Sequence, residues 1–85
     1  MADEKKNEIL VIEPGMACVT KSKPYKIKTN LLQTMPGLLA NVKEIVIEKN
    51  VSAIGQNAFY ECTQLTSFVI SDSVTKIGDQ AFFKL

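Results

Sequence analysis

Arginine, histidine and tryptophan are absent from this 85-residue chain. Without an imidazole there is no side chain for a Ser-His type triad, for general-base work near neutral pH, or for a histidine-containing zinc site. Without a guanidinium there is no planar fork to clamp a phosphate or a guanine edge in bidentate fashion. Cysteine is scarce too: Cys18 and Cys62 stand 44 positions apart, with no Cys-x-x-Cys spacing. Two thiols make neither a metal cage nor a disulfide framework, and no charge cluster beside either would lower its pKa. No metal and no cofactor are expected. No run of eighteen apolar residues is present, so no membrane span is expected. The opening residues 1–8 are charged, unlike the apolar segment of a secretory signal, which points to the cytoplasm. A cell-surface or secreted setting stays open if a signal has been removed.

What the chain does contain is repetition, the feature to seek before secondary structure. Shifted by 23 positions, residues 42–59 lie over residues 65–82. Identities fall at Val46/Val69, Ile47/Ile70, Val51/Val74, Ile54/Ile77, Gly55/Gly78, Ala58/Ala81 and Phe59/Phe82, seven of eighteen positions. Val42/Leu65 and Ile45/Phe68 match in apolar character. Val42, Ile45 and Ile47 have the spacing of a short strand with one buried face, since residues two apart share a side. Gly55 and Gly78 read as a tight corner, and Ala58-Phe59 as the start of a short helical or 3-10 turn that plugs Phe59 into the core. A ligand pocket built on Phe59, Phe82 and Cys62 is the alternative; core packing is the reading preferred here.

These residues resemble the BspA-type leucine-rich repeats, whose unit reads roughly L-x-x-I-x-I-P-x-x-V-x-x-I-G-x-x-A-F-x-x-C. The most specific part is Ile54-Gly55-x-x-Ala58-Phe59-x-x-Cys62, repeated as Ile77-Gly78-x-x-Ala81-Phe82. The resemblance covers residues 42–85. The family's proline after the strand is here Glu48 in one repeat and Ser71 in the other. The resemblance implies a leucine-rich repeat solenoid, mainly β or α+β. It would be a short right-handed stack of about three coils, with a parallel sheet on one face and short helical or 3-10 turns. It also implies a non-catalytic interaction module, because proteins of this kind are mostly surface and adhesion proteins of bacteria and some protozoa.

The N-terminal half carries a fainter copy. Leu10-Val11-Ile12-Glu13-x-x-Met16-x-x-Val19 matches Ile45-Val46-Ile47-Glu48-x-x-Val51-x-x-Ile54 at an offset of 35. Leu31-Leu32-Gln33-x-Met35 with Leu39 and Val42 matches Ile54-Gly55-Gln56-x-Ala58 with Cys62 and Leu65 at an offset of 23. Both hold if twelve residues are inserted between Val19 and Leu31. Residues 1–41 then form a degenerate first repeat that also caps the stack, followed by repeats at 42–64 and 65–85 within one domain. An unrelated cap, with a strand at 9–12 and a helix near 31–40, is the alternative, although Pro36-Gly37 opposes a continuous helix. The insertion at 20–30 holds Lys21, Lys23, Lys26 and Lys28 and no acid. As the whole chain totals +1, the remainder carries −3. Tyr25 and Ile27 alternate with Lys26 and Lys28, the pattern of a hairpin arm. Four lysines with no arginine make nucleic acid an unexpected partner.

Parallel stacking would set equivalent positions side by side. The outward row of the sheet would be Val11, Val46 and Val69, flanked by Ile9, Glu44 and Ser67 on one side and by Glu13, Glu48 and Ser71 on the other. An apolar stripe with a charged rim is the expected face for a protein partner. Ordinary β-propensity explains valine there equally well. Ile77, Phe82, Phe83 and Leu85 would form an uncapped end, a candidate surface for a homo-oligomer or a self-assembling structural protein. No catalytic residue is assigned, because Glu13, Glu44 and Glu48 have no partnering base.

Overall fold

The computed structural model describes residues 8–82. Among the described residues the apolar alternation read in the sequence becomes six short strands, with two single-turn helices between the second and third strands. They run in the order β1 (Ile9–Ile12), β2 (Tyr25–Ile27), α1 (Leu31–Thr34), α2 (Pro36–Leu39), β3 (Glu44–Ile47), β4 (Val51–Ile54), β5 (Ser67–Ile70) and β6 (Lys76–Ile77). No strand pairs with its sequence neighbour. Instead β1, β3 and β5 form one three-stranded parallel sheet, and β2, β4 and β6 form a second. This is a repeat fold with two small parallel sheets. The single sheet face expected from the sequence is therefore corrected. The Val-x-x-Ile segment at 51–54 is itself a strand, and it recruits a partner on each side.

The register follows the repeat. Val46 pairs with Val69 and Ile47 with Ile70, an offset of 23. Leu10 pairs with Ile45 and Ile12 with Ile47, an offset of 35. The backbone continues this pairing past both ends of the sheet. Lys43 N–H donates to Glu8 O (2.7 Å) and Thr66 N–H to Lys43 O (2.8 Å), while Glu48 N–H donates to Ile12 O (3.0 Å). Beyond β1, β3 and β5 the chain turns in the same way: Met16 N–H reaches Glu13 O, Val51 N–H reaches Glu48 O, and Val74 N–H reaches Ser71 O.

The second sheet departs from the sequence alignment. Ile27, not Val19 or Leu31, is the partner of Ile54. Leu31 N–H bonds Ala58 O at 3.1 Å, so Leu31 lies beside Ala58. Here the offset is 27, intermediate between 35 and 23. Val19 instead bridges Ile27 in antiparallel fashion, and Thr20 N–H bonds Lys26 O while Lys28 N–H bonds Cys18 O. The segment is thus a hairpin arm, as its alternation implied. Its return limb is β2, however, which belongs to the sheet and is no excursion. The left-handed residues confirm the spacing: Asn30, Asn57 and Gln80 all have φ between 53° and 58°, each one residue before a buried Leu31, Ala58 or Ala81.

Turns replace the expected helices after each glycine. Ala58 N–H bonds Gly55 O and Cys62 N–H bonds Phe59 O without a helix forming. Pro36 splits the helix expected near 31–40, and Met35 between the halves has φ −139°. The two glycines serve close approach rather than a turn conformation. A Cβ on Gly55 would lie 2.5 Å from the carbonyl oxygen of Ile27, and one on Gly78 would fall on the backbone of Gln56.

The core is a set of rows running between the sheets. Ile12, Ile27, Leu31, Leu39, Ile45, Val51, Ala58, Phe59 and Cys62 are fully enclosed. Phe59 packs against Phe68 (ring centroids 5.6 Å apart) and stacks on Phe82 (5.7 Å), and Phe68 meets Phe82 edge-on at 4.6 Å. Phe59 and Cys62 are therefore core, not a pocket. Exposure rises at the last repeat: along one row Ile27 and Ile54 are 0% and 2% exposed, whereas Ile77 is 53% exposed. Side chains of that repeat bond back to the preceding one, with Thr66 Oγ1 donating to Lys43 O (3.2 Å) and Ser73 Oγ to Val51 O (2.7 Å).

Two stability tests follow from this packing. Ile54→Ala should cost about 2–5 kcal/mol, as for a buried aliphatic side chain, while Ile77→Ala at the equivalent position should cost under about 1 kcal/mol. Gly55→Ala should cost about 1–3 kcal/mol through overlap with a backbone that cannot rotate aside. Urea unfolding of the three variants checks both, and equal losses at 54 and 77 would show the end to be as enclosed as the middle.

Candidate functional site

The outer face of the β1-β3-β5 sheet is built directly by the register. Ile9, Glu44 and Ser67 are cross-strand neighbours, and so are Val11, Val46 and Val69. Adjacent members of a row lie about 4.8 Å apart. Val11 is 45% and Val69 49% exposed, Ile9 is exposed, and Val46 between them is half-buried. Alternation causes this: Leu10, Ile12, Ile45 and Ile47 turn to the core, so the residues between them must turn outward.

The rim is less uniform than the sequence implied. Glu48 and Ser71, at equivalent positions, close their own turns. A Glu48 carboxylate oxygen accepts from Asn50 N–H (3.1 Å), and Ser71 Oγ accepts from Ser73 N–H (3.3 Å). Glu13 is exposed, and its N–H meets Met16 Sδ at 3.4 Å. Glu44 is half-buried at the opposite end of the strand, in a shallow groove of about 270 Å³ with Glu8, Ile9, Lys43 and Thr66. At roughly 3.3 Å per residue, Glu44 and Glu48 stand about 13 Å apart along the chain. The three carboxylates Glu13, Glu44 and Glu48 therefore do not converge on one point. Among the described residues no group of three or more His, Cys, Asp or Glu side chains is placed to hold a metal.

In the last repeat Ile70 and Ile77 lie at the surface and Phe82 is half-buried. Phe83 and Leu85 lie outside the described residues. The basic segment divides. Lys21, Lys23 and Lys28 gather around Tyr25 in two grooves beside the arm. Lys26 stands apart on the outer face of the second sheet, where the register sets it next to Ala53, with Lys76 on the far side. This Lys26-Ala53-Lys76 row was not visible in the sequence, because β2 lies at an offset that no single alignment of the repeats produces. Lys49 was missed for a different reason: it is isolated in sequence and joins the arm's lysines only across the fold.

Both cysteines are free and buried. Burial pushes each thiol's pKa up, although Lys28 and a backbone hydrogen bond act slightly the other way on Cys18. A raised pKa keeps the thiol neutral across neutral pH, and the neutral thiol is a poor nucleophile. Iodoacetamide at pH 7.5 should leave both thiols of the native protein intact and alkylate both in urea. Rapid labelling of native Cys18 or Cys62 by mass spectrometry would mark an exposed, activated thiol instead.

A family model described as BspA type leucine rich repeat region (6 copies) matches residues 37–85. Neither a curated protein nor a solved structure matches the chain.

Proposed function

The chain belongs to the BspA-type leucine-rich repeat family, and on that premise we propose that it is a non-catalytic module whose outward sheet face receives a protein partner. Repeats of this family serve generally in protein interaction and adhesion and are generally non-catalytic. The observation that carries the present reading is the row Val11-Val46-Val69, exposed at Val11 and Val69 and half-buried at Val46, held in register on a parallel sheet. Three aligned valines at the surface give up hydration cheaply, and a partner covering them gains roughly 25 cal/mol per Å² of apolar area. Glu13, Glu44 and Ser67 would orient that partner at the rim. Glu48 and Ser71 contribute less, since their side chains are engaged in their own turns.

In this reading residues 1–41 are a degenerate first coil and cap, and 42–64 and 65–85 are the following coils of a short right-handed solenoid. The parallel order of both sheets supports it. BspA-type repeats are often parts of surface or secreted proteins, and a surface or adhesion fragment is one setting that such a module fits. Among the described residues no helix is long and apolar enough to cross a membrane.

A second reading is favoured by the exposure of Ile70 (38%) and Ile77 (53%): association of two copies through this end. Two measurements separate the readings. A photocrosslinking residue at Val46 should capture a protein partner that one at Lys76 does not, and Val69→Asp in the same chain should abolish the capture. Light scattering across concentration should show a single monomeric mass if only the sheet face is used. A dimer dissociated by Ile77→Asp or Phe82→Asp, with no capture at Val46, would favour the open end and defeat the sheet-face reading.

A further inference from the structure

We propose that the hairpin arm at residues 18–28 and the β3-β4 turn at residues 49–50, with Ser52 of β4, form a second binding site, independent of the valine face, for a short acidic segment of another protein. Two grooves meet at Tyr25 and Pro14. One, of about 700 Å³, runs between the arm tip and the β3-β4 turn and carries Lys23, Pro24 and Lys49. The other, of about 520 Å³, lies on the far side of Tyr25 and carries Lys21 and Lys28. Lys21, Lys23, Lys28 and Lys49 thus line two grooves that share one aromatic residue, and among the described residues no carboxylate lines either groove.

The frame of this site is fixed by hydrogen bonds. Thr20 N–H bonds Lys26 O (2.9 Å), Lys28 N–H bonds Cys18 O (2.8 Å), and Lys26 N–H bonds the Thr20 hydroxyl (3.0 Å). Tyr25 is half-buried, pairs with Val51 and packs on the core, which aligns the arm with the neighbouring repeat. The opposite wall is set by Asn50 N–H on Glu48. Little conformational freedom is left in the backbone for a ligand to freeze out, which favours binding by a preformed site.

Charge selects the ligand class. The lysines attract anions, and their point-like ammonium groups suit carboxylates spaced along an extended chain. The remainder of the protein carries −3. Glu13 and Glu48 immediately precede the two turns that form the groove walls. A long, uniformly charged polyanion leaving the groove would meet those carboxylates, whereas a short acidic stretch within a neutral peptide would not. A single tyrosine also offers stacking for one base only, against the several aromatic platforms typical of single-strand binders. Pro14, Pro24 and Tyr25 supply apolar surface for one side chain of the peptide.

The test uses a fluorescein-labelled peptide with alternating glutamates around a central leucine, its glutamine counterpart, and a single-stranded thymidine oligonucleotide. Anisotropy with the full chain should show binding of the glutamate peptide, weakened at least about tenfold by glutamine replacement or by raising salt toward 1 M. Lys23→Glu with Lys49→Glu should weaken it at least about tenfold as well, while Val46→Asp leaves it unchanged. Both lysines are exposed, so the melting temperature should stay within a few degrees, which separates lost binding from lost fold. Failure of the glutamate peptide to bind at millimolar concentration, tighter binding of the oligonucleotide, or indifference to the double charge reversal would each overturn the proposal.

Discussion

The close approach of backbone to backbone at the two glycines is the constraint on which the remaining structure depends. Parallel strands from successive repeats lie within hydrogen-bonding distance only if nothing projects between them where the chain turns the corner. At Gly55 the neighbour is the carbonyl of Ile27, whose oxygen accepts from Gly55 N–H at 2.8 Å, and at Gly78 the same bond runs to Ile54 O at 2.8 Å. These contacts bring β2, β4 and β6 together. The same proximity aligns β3 and β5 on the other side, because the turns at 48–50 and 71–75 are both short, while the connection after β1 is longer by the inserted hairpin. Side chains then have no choice of neighbour: Ile12 must meet Ile47, and Phe59 must meet Phe68 and Phe82. Burial supplies the driving force, but the glycines decide which surfaces are buried against which.

That logic explains what was legible in the sequence and what was not. The offset of 23 is the β3-β5 register because that stretch has no insertion, so counting along the chain equals counting along the stack. The offset of 35 likewise survives in β1, whose partners were read directly from Leu10-Val11-Ile12. The failure came between them. A hairpin inserted at residues 18–28 lends one limb to the sheet, so the extra length is shared between two places: part precedes β2, and part lies in α1 and α2 after it. A single gap cannot represent this. The clue was present, since Asn30, Asn57 and Gln80 each precede a small or aliphatic buried residue, but a left-handed asparagine has no distinctive sequence pattern. The second sheet was hidden for a related reason. Val51-Ser52-Ala53-Ile54 is buried only at its ends, a pattern that reads as a turn as easily as a strand.

The surface inherits its character from the same arrangement. Alternation within β1, β3 and β5 makes a valine row unavoidable once the flanking positions are committed to the core, so its existence alone says nothing of use. What distinguishes it is exposure on a frame with little freedom to rearrange. The rim carboxylates are a caution against reading charge by position. Glu48 stands where the family places proline, and it performs a comparable task by accepting Asn50 N–H and shaping the turn. Ser71 does the same one repeat later. Both are better understood as turn residues that happen to face outward.

The two ends of the sheets differ in a way that links stability to recognition. At the N-terminal side of the second sheet, the outer edge of β2 is occupied by the arm's other limb through the Val19-Ile27 bridge, which removes an edge that would otherwise invite pairing. No described residue performs this service for β6, and Ile77 is exposed accordingly. An edge strand must be covered, charged or paired to avoid indiscriminate association. The chain uses the first device at β2, and on β6 the exposed Lys76 supplies the second. The covering device has a consequence of its own. A hairpin long enough to cap β2 must have a tip in solvent, and solvated tips favour charge. The lysines at that tip therefore arise where a cap is required, and their convergence with Lys49 across the groove turns a structural necessity into a surface with a defined electrostatic sign.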